Sequence, residues 1–401
     1  MTNKFRVAVG ILMLSSLLVS SSAPPFVSVR VTMTDNKRAE GSHILPDQVF
    51  PRPKPVTLQP QKAHPSPTPV PTSPSSSHGL LPPTPLTTGK AQVMAWIYPG
   101  PPGCNAAHEY TDGRIIDTLK PQYFTLADTG VLDLLTVTNS GCNAYSPANA
   151  RHIKQFSTHQ YVTVSGNTTS LNALMSDHTL ETQAMQTLLT FLKTIQFTGI
   201  ELDFEGWAQW TPQQYSGYKQ FLTQLGNTLH DNGYKLMVDG PPVIASSGSS
   251  LVWNYADFNT LPVDYIVVLA YDWQFDFGAG TPVAPFSREV EVTNGVRGKI
   301  TDINKIVIGI PSYGYHGATG STAITEDTYV QSQAYPGYNT ATRDSSSGEM
   351  MWTHAGISYD YADAETLAAK RVTIEQLGIR YISVWSLGGN LWFPGSSEPS
   401  S

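Results

Sequence analysis

Cysteine is almost absent: the 401 residues contain two, Cys104 and Cys142. Two thiols are too few for a small disulfide scaffold. With no histidine at ligand spacing beside them, they also cannot build a zinc site. In an exported chain they most simply form one disulfide with each other. Charge is scarce as well. Asp, Glu, Lys and Arg make up 14% of the chain, and the formal net charge is -7. No basic excess is available for a nucleic acid or an anionic membrane surface. His152, His159, His178 and His354 do not cluster, and they read as structural or surface residues. No metal or organic cofactor is expected.

Long apolar runs are missing too. The run from Val7 to Val19 is too short for a comfortable transmembrane helix. Lys4 and Arg6 precede it and small residues Ser20 to Ala23 follow it, so residues 1–23 read as a signal peptide. The alternative is an uncleaved N-terminal anchor. No cysteine follows the run, which argues against a lipid anchor. Residues 24–88 are rich in Pro, Ser and Thr and poor in apolar side chains. Such a segment cannot offset its ordering entropy by burial, so it is expected to be a disordered, extended spacer. It would hold a domain away from a cell surface or wall. No repeats or separate binding module are visible in it.

Residues 89–395 carry the structure. Strand-like runs alternate with helical patterns, the mark of a parallel sheet with helices outside. The expected strands are 92–100, 121–136 continuing into a hairpin, 161–166, 197–205, 235–243, 263–273, 304–315 and 379–390. Helical spacing marks 150–156, 180–195, 211–234 and 363–378. Thr211 and Pro212 form a helix start, and Gly233 a stop. Eight strands with intervening helices predict an α/β fold, a (β/α)8 barrel. The alternative, a doubly wound open sheet, lacks a Gly-rich phosphate turn after the first strand. The stretch 314–362 is too long for an ordinary connection. It predicts a small insertion after the seventh strand, with a hairpin over 350–362.

The most informative stretch is FTGIELDFEGW, residues 197–207. Glu201, Asp203 and Glu205 alternate with Ile200, Leu202 and Phe204. In a strand this puts all three carboxylates on one face and the apolar side chains on the other. Like charges in a row cost stability, and functional sites are where that cost is tolerated. A solvated edge strand is the plainer alternative. Edges favour Lys, Pro and mixed charge, whereas this strand is acid-only, bounded by Gly199 and Gly206 and followed by Trp207 and Trp210. In a barrel, a site forms at the C-terminal strand ends. There the sequence offers Trp96 and Tyr98, Asp203 and Glu205, Tyr271 with Asp272 and Trp273, Tyr313 with Tyr315, and Trp385. Carboxylates within a ring of aromatics describe a sugar site.

These residues resemble the signature of family 18 glycoside hydrolases, D-x-x-D-x-D-x-E. Here its four positions are Thr198, Glu201, Asp203 and Glu205. The DFE form is similar to the branch containing spore-cortex peptidoglycan hydrolases and chitobiase-like enzymes. LAYD (269–272), GIPSYG (309–314) and VWSLGG (384–389) are similar to further motifs of the family, in the same order, while VSG (164–166) departs from its S-x-G-G. The resemblance implies hydrolysis of β-linked N-acetylglucosamine glycans with retention, the substrate acetamide acting as nucleophile. Glu205 would be the general acid and base. Asp203 would orient the acetamide, and Glu201 would share a proton with Asp203. Tyr271 would bind the acetamide oxygen, and Trp385 would floor the sugar. Asp272, Trp96, Tyr98, Trp273 and Tyr313 would bind substrate. Chitin oligomers, peptidoglycan strands and N-glycan cores are all candidate substrates, and a catalytically inactive lectin on the same barrel is the rival reading. The protein is expected to be secreted and monomeric.

Overall fold

The computed structural model describes residues 90–395, apart from 101–103, 105, 107–109, 111–115 and 244–250. The expected signal peptide and linker lie outside the described residues. Eight strands pair in parallel: β1 (Gln92–Ile97), β2 (Ile116–Leu126), β4 (Ser157–Gly166), β5 (Gly199–Phe204), β6 (Lys235–Gly240), β7 (Tyr265–Leu269), β8 (Ile306–Pro311) and β14 (Tyr381–Leu387). β1 pairs with both β14 and β2, which closes the sheet into a barrel. β3 (Leu132–Leu134) folds back antiparallel on β2 as the expected hairpin.

Helices α1 (Pro147–Phe156), α2 (Thr168–Met175), α3 (His178–Ile195), α4 (Pro212–His230), α5 (Phe286–Arg297) and α6 (Ala364–Gln376) connect the strands. Local chemistry sets their starts. Thr211 and Gln214 form a reciprocal capping box with Pro212 in the first turn of α4, and Asp363 and Thr366 do the same for α6. β6 is followed by a short 3-10 turn, Tyr255–Asn259.

Period-two alternation divides the strand side chains between two cores. Outward residues such as Ile200, Leu202, Phe204 and Val238 pack with Leu188, Leu192, Phe221 and Leu225 of the helices. Inward residues Met94, Trp96, Tyr161, Met237 and Val267 fill the barrel. Close packing of this kind leaves no pore, so the strand ends at the top are the natural place for a cleft.

The insertion is larger than the expected hairpin. β9 (Gly314–Ala318), β10 (Ile324–Asp327), β11 (Thr342–Arg343), β12 (Met350–His354) and β13 (Ile357–Tyr361) form a five-stranded antiparallel sheet in the order β10-β9-β13-β12-β11. The hairpin β12–β13 is its centre, and long-range pairing of β9 with β13 brings in the rest. The sheet has a polar root beside the barrel. Lys370 of α6 donates to the Ala284 carbonyl and faces Glu349 at 3.2 Å and Glu289 at 3.4 Å, all fully buried. Glu349 in turn accepts the Val283 and Ala284 N–H groups at 2.7 and 2.9 Å.

Cys104, after β1, and Cys142, after β3, are joined as a disulfide, with their Cα atoms 5.3 Å apart. Beside it the Gly100 N–H donates to the Cys142 carbonyl at 2.9 Å.

Candidate active site

β5 places its acids as the alternation predicts. Glu201 is wholly buried inside the barrel, Asp203 is partly covered above it, and Glu205 follows the strand end and reaches solvent. Two glycines shape this corner. Gly206 has φ 87°, and a side chain there would run into the Thr168 hydroxyl. At Gly309, a Cβ would lie 2.9 Å from the Tyr271 ring, so the bare backbone of β8 gives that ring its seat.

Glu201 is heavily paired. The Trp96 indole donates to it at 2.9 Å, the Thr163 hydroxyl donates to the same oxygen, and the Lys120 ammonium donates to the other. Lys120 also lies over the Trp96 ring, 3.3 Å from its centre. Burial pulls the lysine below its ordinary range, and the carboxylates of Glu201, Asp239 and Asp203 oppose that pull.

Asp203 stands between two further carboxyls, Glu205 two residues on and Asp239 in register on β6, while Glu201 acts on it through charge. Burial, then the Glu201 charge, push its carboxyl up to about 7. Asp239 of β6 thus joins Glu201 at the inner side of Asp203, in register beside it. Burial by the cleft walls, then the charges of Asp203 and Asp272, hold Glu205 well above the usual carboxylate range. Its side chain still meets solvent at the mouth. Water therefore tempers the burial contribution, and the two neighbouring carboxylates support the same direction.

Tyr271 and Asp272 end β7. Tyr271 is nearly buried, with burial and the Asp272 charge raising its hydroxyl well above the ordinary tyrosine range, so it stands as a neutral donor. Asp272 has φ 71°, a strained backbone for a residue with a side chain. It accepts from the hydroxyls of Tyr313 and, at 2.8 Å, Tyr315. Burial raises its carboxyl to about 6. Trp385 is half-exposed at the end of β14, with Trp96 and Tyr98 edge-on to it at 5.6 and 6.1 Å.

Three aromatics expected to touch a sugar do not line the open cleft. Trp96 is 1% exposed and holds Glu201 from below. Tyr313 is 1% exposed and holds Asp272. Trp273 is 5% exposed, and the Arg288 guanidinium covers its ring at 5.2 Å. Thr198 lies at the lower end of the barrel, where its hydroxyl accepts the Gln160 N–H at 3.1 Å. Three residues absent from the sequence-based site belong beside it. Lys120 and Asp239 sit inside the barrel. Glu326 of β10 stands near Trp385, placed there because β10 pairs with β9 opposite Tyr315.

The arrangement can bring a proton-bearing carboxyl, a second carboxyl beneath it and a tyrosine hydroxyl to one side of a bound sugar, over an indole. The sequence profile of glycosyl hydrolases family 18 matches residues 122–390. The cortical fragment-lytic enzyme of Bacillus subtilis is 24% identical over 245 residues, covering 55% of this chain and 53% of that protein. This chain thus spans about half the length of that relative. The chitinase of Chromobacterium violaceum superposes with a TM-score of 0.61 at 19% identity, covering 75% of this chain and 95% of that one. The spore cortex-lytic enzyme SleL of Bacillus cereus gives 0.60 at 18% identity, covering 76% and 72%. At these identities the two superpositions speak for the fold.

Proposed function

The chain belongs to glycosyl hydrolase family 18, and from that premise we propose that it is a secreted, retaining hydrolase of β-linked N-acetylglucosamine glycans, chitin-type or peptidoglycan. One observation carries the mechanism: Glu205 and Asp203 stand two apart in the alternation of β5, on one face, near enough for the charge of Asp203 to bear on the Glu205 carboxyl. An ordinary retaining pair flanks the bond from opposite sides, about 5–5.5 Å apart. Two carboxyls side by side on one strand face do not flank a bond from opposite sides, and a nucleophile supplied by the substrate suits them. A 2-acetamido group supplies one.

In this reading Glu205 gives its proton to the leaving glycosidic oxygen. The acetamide oxygen attacks the anomeric carbon and closes an oxazolinium ring. Asp203 accepts the acetamide N–H and balances the ring's positive charge, while the Tyr271 hydroxyl orients the acetamide oxygen. Glu205, now a carboxylate, takes a proton from water as the water opens the ring. Two inversions at one carbon return the β-anomer. Trp385 floors the sugar, and Asp272, steered by two tyrosines, bears on Glu205 through its charge. The peptidoglycan arm draws support from the named activities of two relatives, and the chitin arm from a third.

The test is to incubate the purified chain with chitin oligomers and with peptidoglycan, then read product masses and the first anomer by NMR. Cleavage with initial β-anomer is expected, and none where the acetamide at the cleaved residue is replaced by a free amine. Initial α-anomer, or equal cleavage of the deacetylated sugar, would overturn the mechanism. Binding without cleavage of either glycan would make the chain a lectin.

A further inference from the structure

Asp239 is the buried group that the mechanism above leaves unused. It lies on β6 in phase with Met237, which points into the barrel, and it is 1% exposed. Among the described residues no N–H or hydroxyl donor reaches either of its oxygens. The β5–β6 register, with Glu201 opposite Met237 and Leu202 opposite Val238, sets it beside Asp203, and its surroundings are two other carboxyls, Glu201 and Asp203. A contact between two carboxyls needs a proton between them, because two anions at that distance repel. Which group brings the proton follows from the donors. Glu201 already receives Trp96, Thr163 and Lys120 and is the natural anion. Asp239 receives none and has to supply its own.

Charge balance gives the same answer. Glu201, Asp203, Glu205 and Asp239 stand against one cation, Lys120, whose partner is Glu201. The other groups facing Asp239 are Tyr218 of α4, Tyr255 of the 3-10 turn and Tyr271 after β7. Burial keeps all three hydroxyls protonated, so none brings a positive charge. Among the described residues no group of acids and histidines is arranged to hold a metal ion that might do so.

We propose that Asp239 is a positioning residue of the catalytic relay: a carboxylic acid that stays neutral and lends its O–H to Asp203 from the side opposite Glu205. This rests on the functional reading above. The relay then runs Glu201, Asp239, Asp203, Glu205, with the Lys120–Glu201 pair as its fixed end. The bond from Asp239 favours the anionic form of Asp203, the form that balances an oxazolinium. When the proton turns to Glu201 instead, Asp203 is freed to hold the proton of Glu205. One acid therefore serves Asp203 differently at rest and in the reaction.

Two measurements test this. The first needs no turnover: infrared difference spectra of the ¹³C-aspartate-labelled protein and Asp239→Asn at neutral pH. The protonated-carboxyl C=O band should lose one component in the variant. The second is the pH dependence of kcat for Asp239→Asn and Asp239→Ala on whichever glycan the wild type cleaves. Asn can donate an N–H to Asp203, so it should keep activity within about tenfold, the worth of one weakened hydrogen bond. Ala cannot, so Asp203 ionises later: the acid limb should move to higher pH and kcat should fall further than for Asn, with KM little changed. An unchanged infrared band, or Asn and Ala variants with equal losses and unmoved acid limbs, would overturn the proposal. A protein that shows the band but cleaves no glycan would instead defeat the functional reading and leave the protonation of Asp239 standing.

Discussion

Glu201 and Glu205 are four residues apart and should fail in opposite ways when mutated. Glu205 reaches solvent and supports no packing. Glu205→Gln should lower hydrolysis about 100- to 10,000-fold, the usual worth of a positioned acid, with an unchanged melting temperature. Glu201→Gln removes the anion facing Lys120 and leaves a buried ammonium unpaired. Breaking a buried pair costs about 3–5 kcal/mol, so urea unfolding should detect it first. Lys120→Met in the same chain should recover much of that loss, and a cycle without coupling would deny the pair. The alternation over 200–205 makes all three acids legible in the sequence. Their partners are less so. Asp239 is a lone acid in the apolar run KLMVDG, in phase with Met237, and that phase is the available signal. Lys120 precedes Pro121, where a strand reading naturally starts, yet β2 begins at Ile116 and carries Lys120 inward.

Strands and their order can be read from period-two runs and turn residues, because each strand's two faces meet different cores. The insertion can be read only in part: its presence and its β12–β13 hairpin follow from local sequence. The rest depends on β9 pairing with β13 across the insertion, and nothing local in the sequence specifies that pairing. Burial also separates aromatics that composition treats alike: Trp385 opens to the cleft while Trp96, in the neighbouring strand, is sealed beneath it. The loop after β1 and the loop after β3 are tied by Cys104–Cys142, a sequence separation of 38. Closing such a loop restricts the unfolded chain and is worth about 3–4 kcal/mol. Replacing both cysteines by serine should lower the urea midpoint accordingly. A midpoint equal to that of the wild type would mean the bond adds nothing to the folded domain.

Across the whole molecule the buried acids set a pH trend. Asp203 and Glu289 are raised to about 7 and Asp272 to about 6, burial being the first cause of each. Each binds its proton more tightly folded than unfolded. The stabilisation is complete below the ordinary carboxylate range and lost as pH rises through about 6 to 7. Asp177, Asp344 and Asp363 are shifted the other way and matter only at more acid pH. Calorimetry should therefore give a higher melting temperature at about pH 5 than at about pH 8, the reverse of ordinary acid denaturation. A rising trend over that interval would mean these carboxyls are ionised in the fold.

The root of the five-stranded sheet constrains anyone who would reshape the cleft. Shortening the wall by splicing β8 directly to α6 looks simple on a topology diagram. The splice would remove Glu349 and leave the Lys370 ammonium against Glu289 and one carbonyl, in a place with no access to water. A shallow-cleft redesign has to exchange Lys370 and Glu289 for apolar side chains in the same step. Wall and barrel are in this respect a single casting, and they can be re-cut only together.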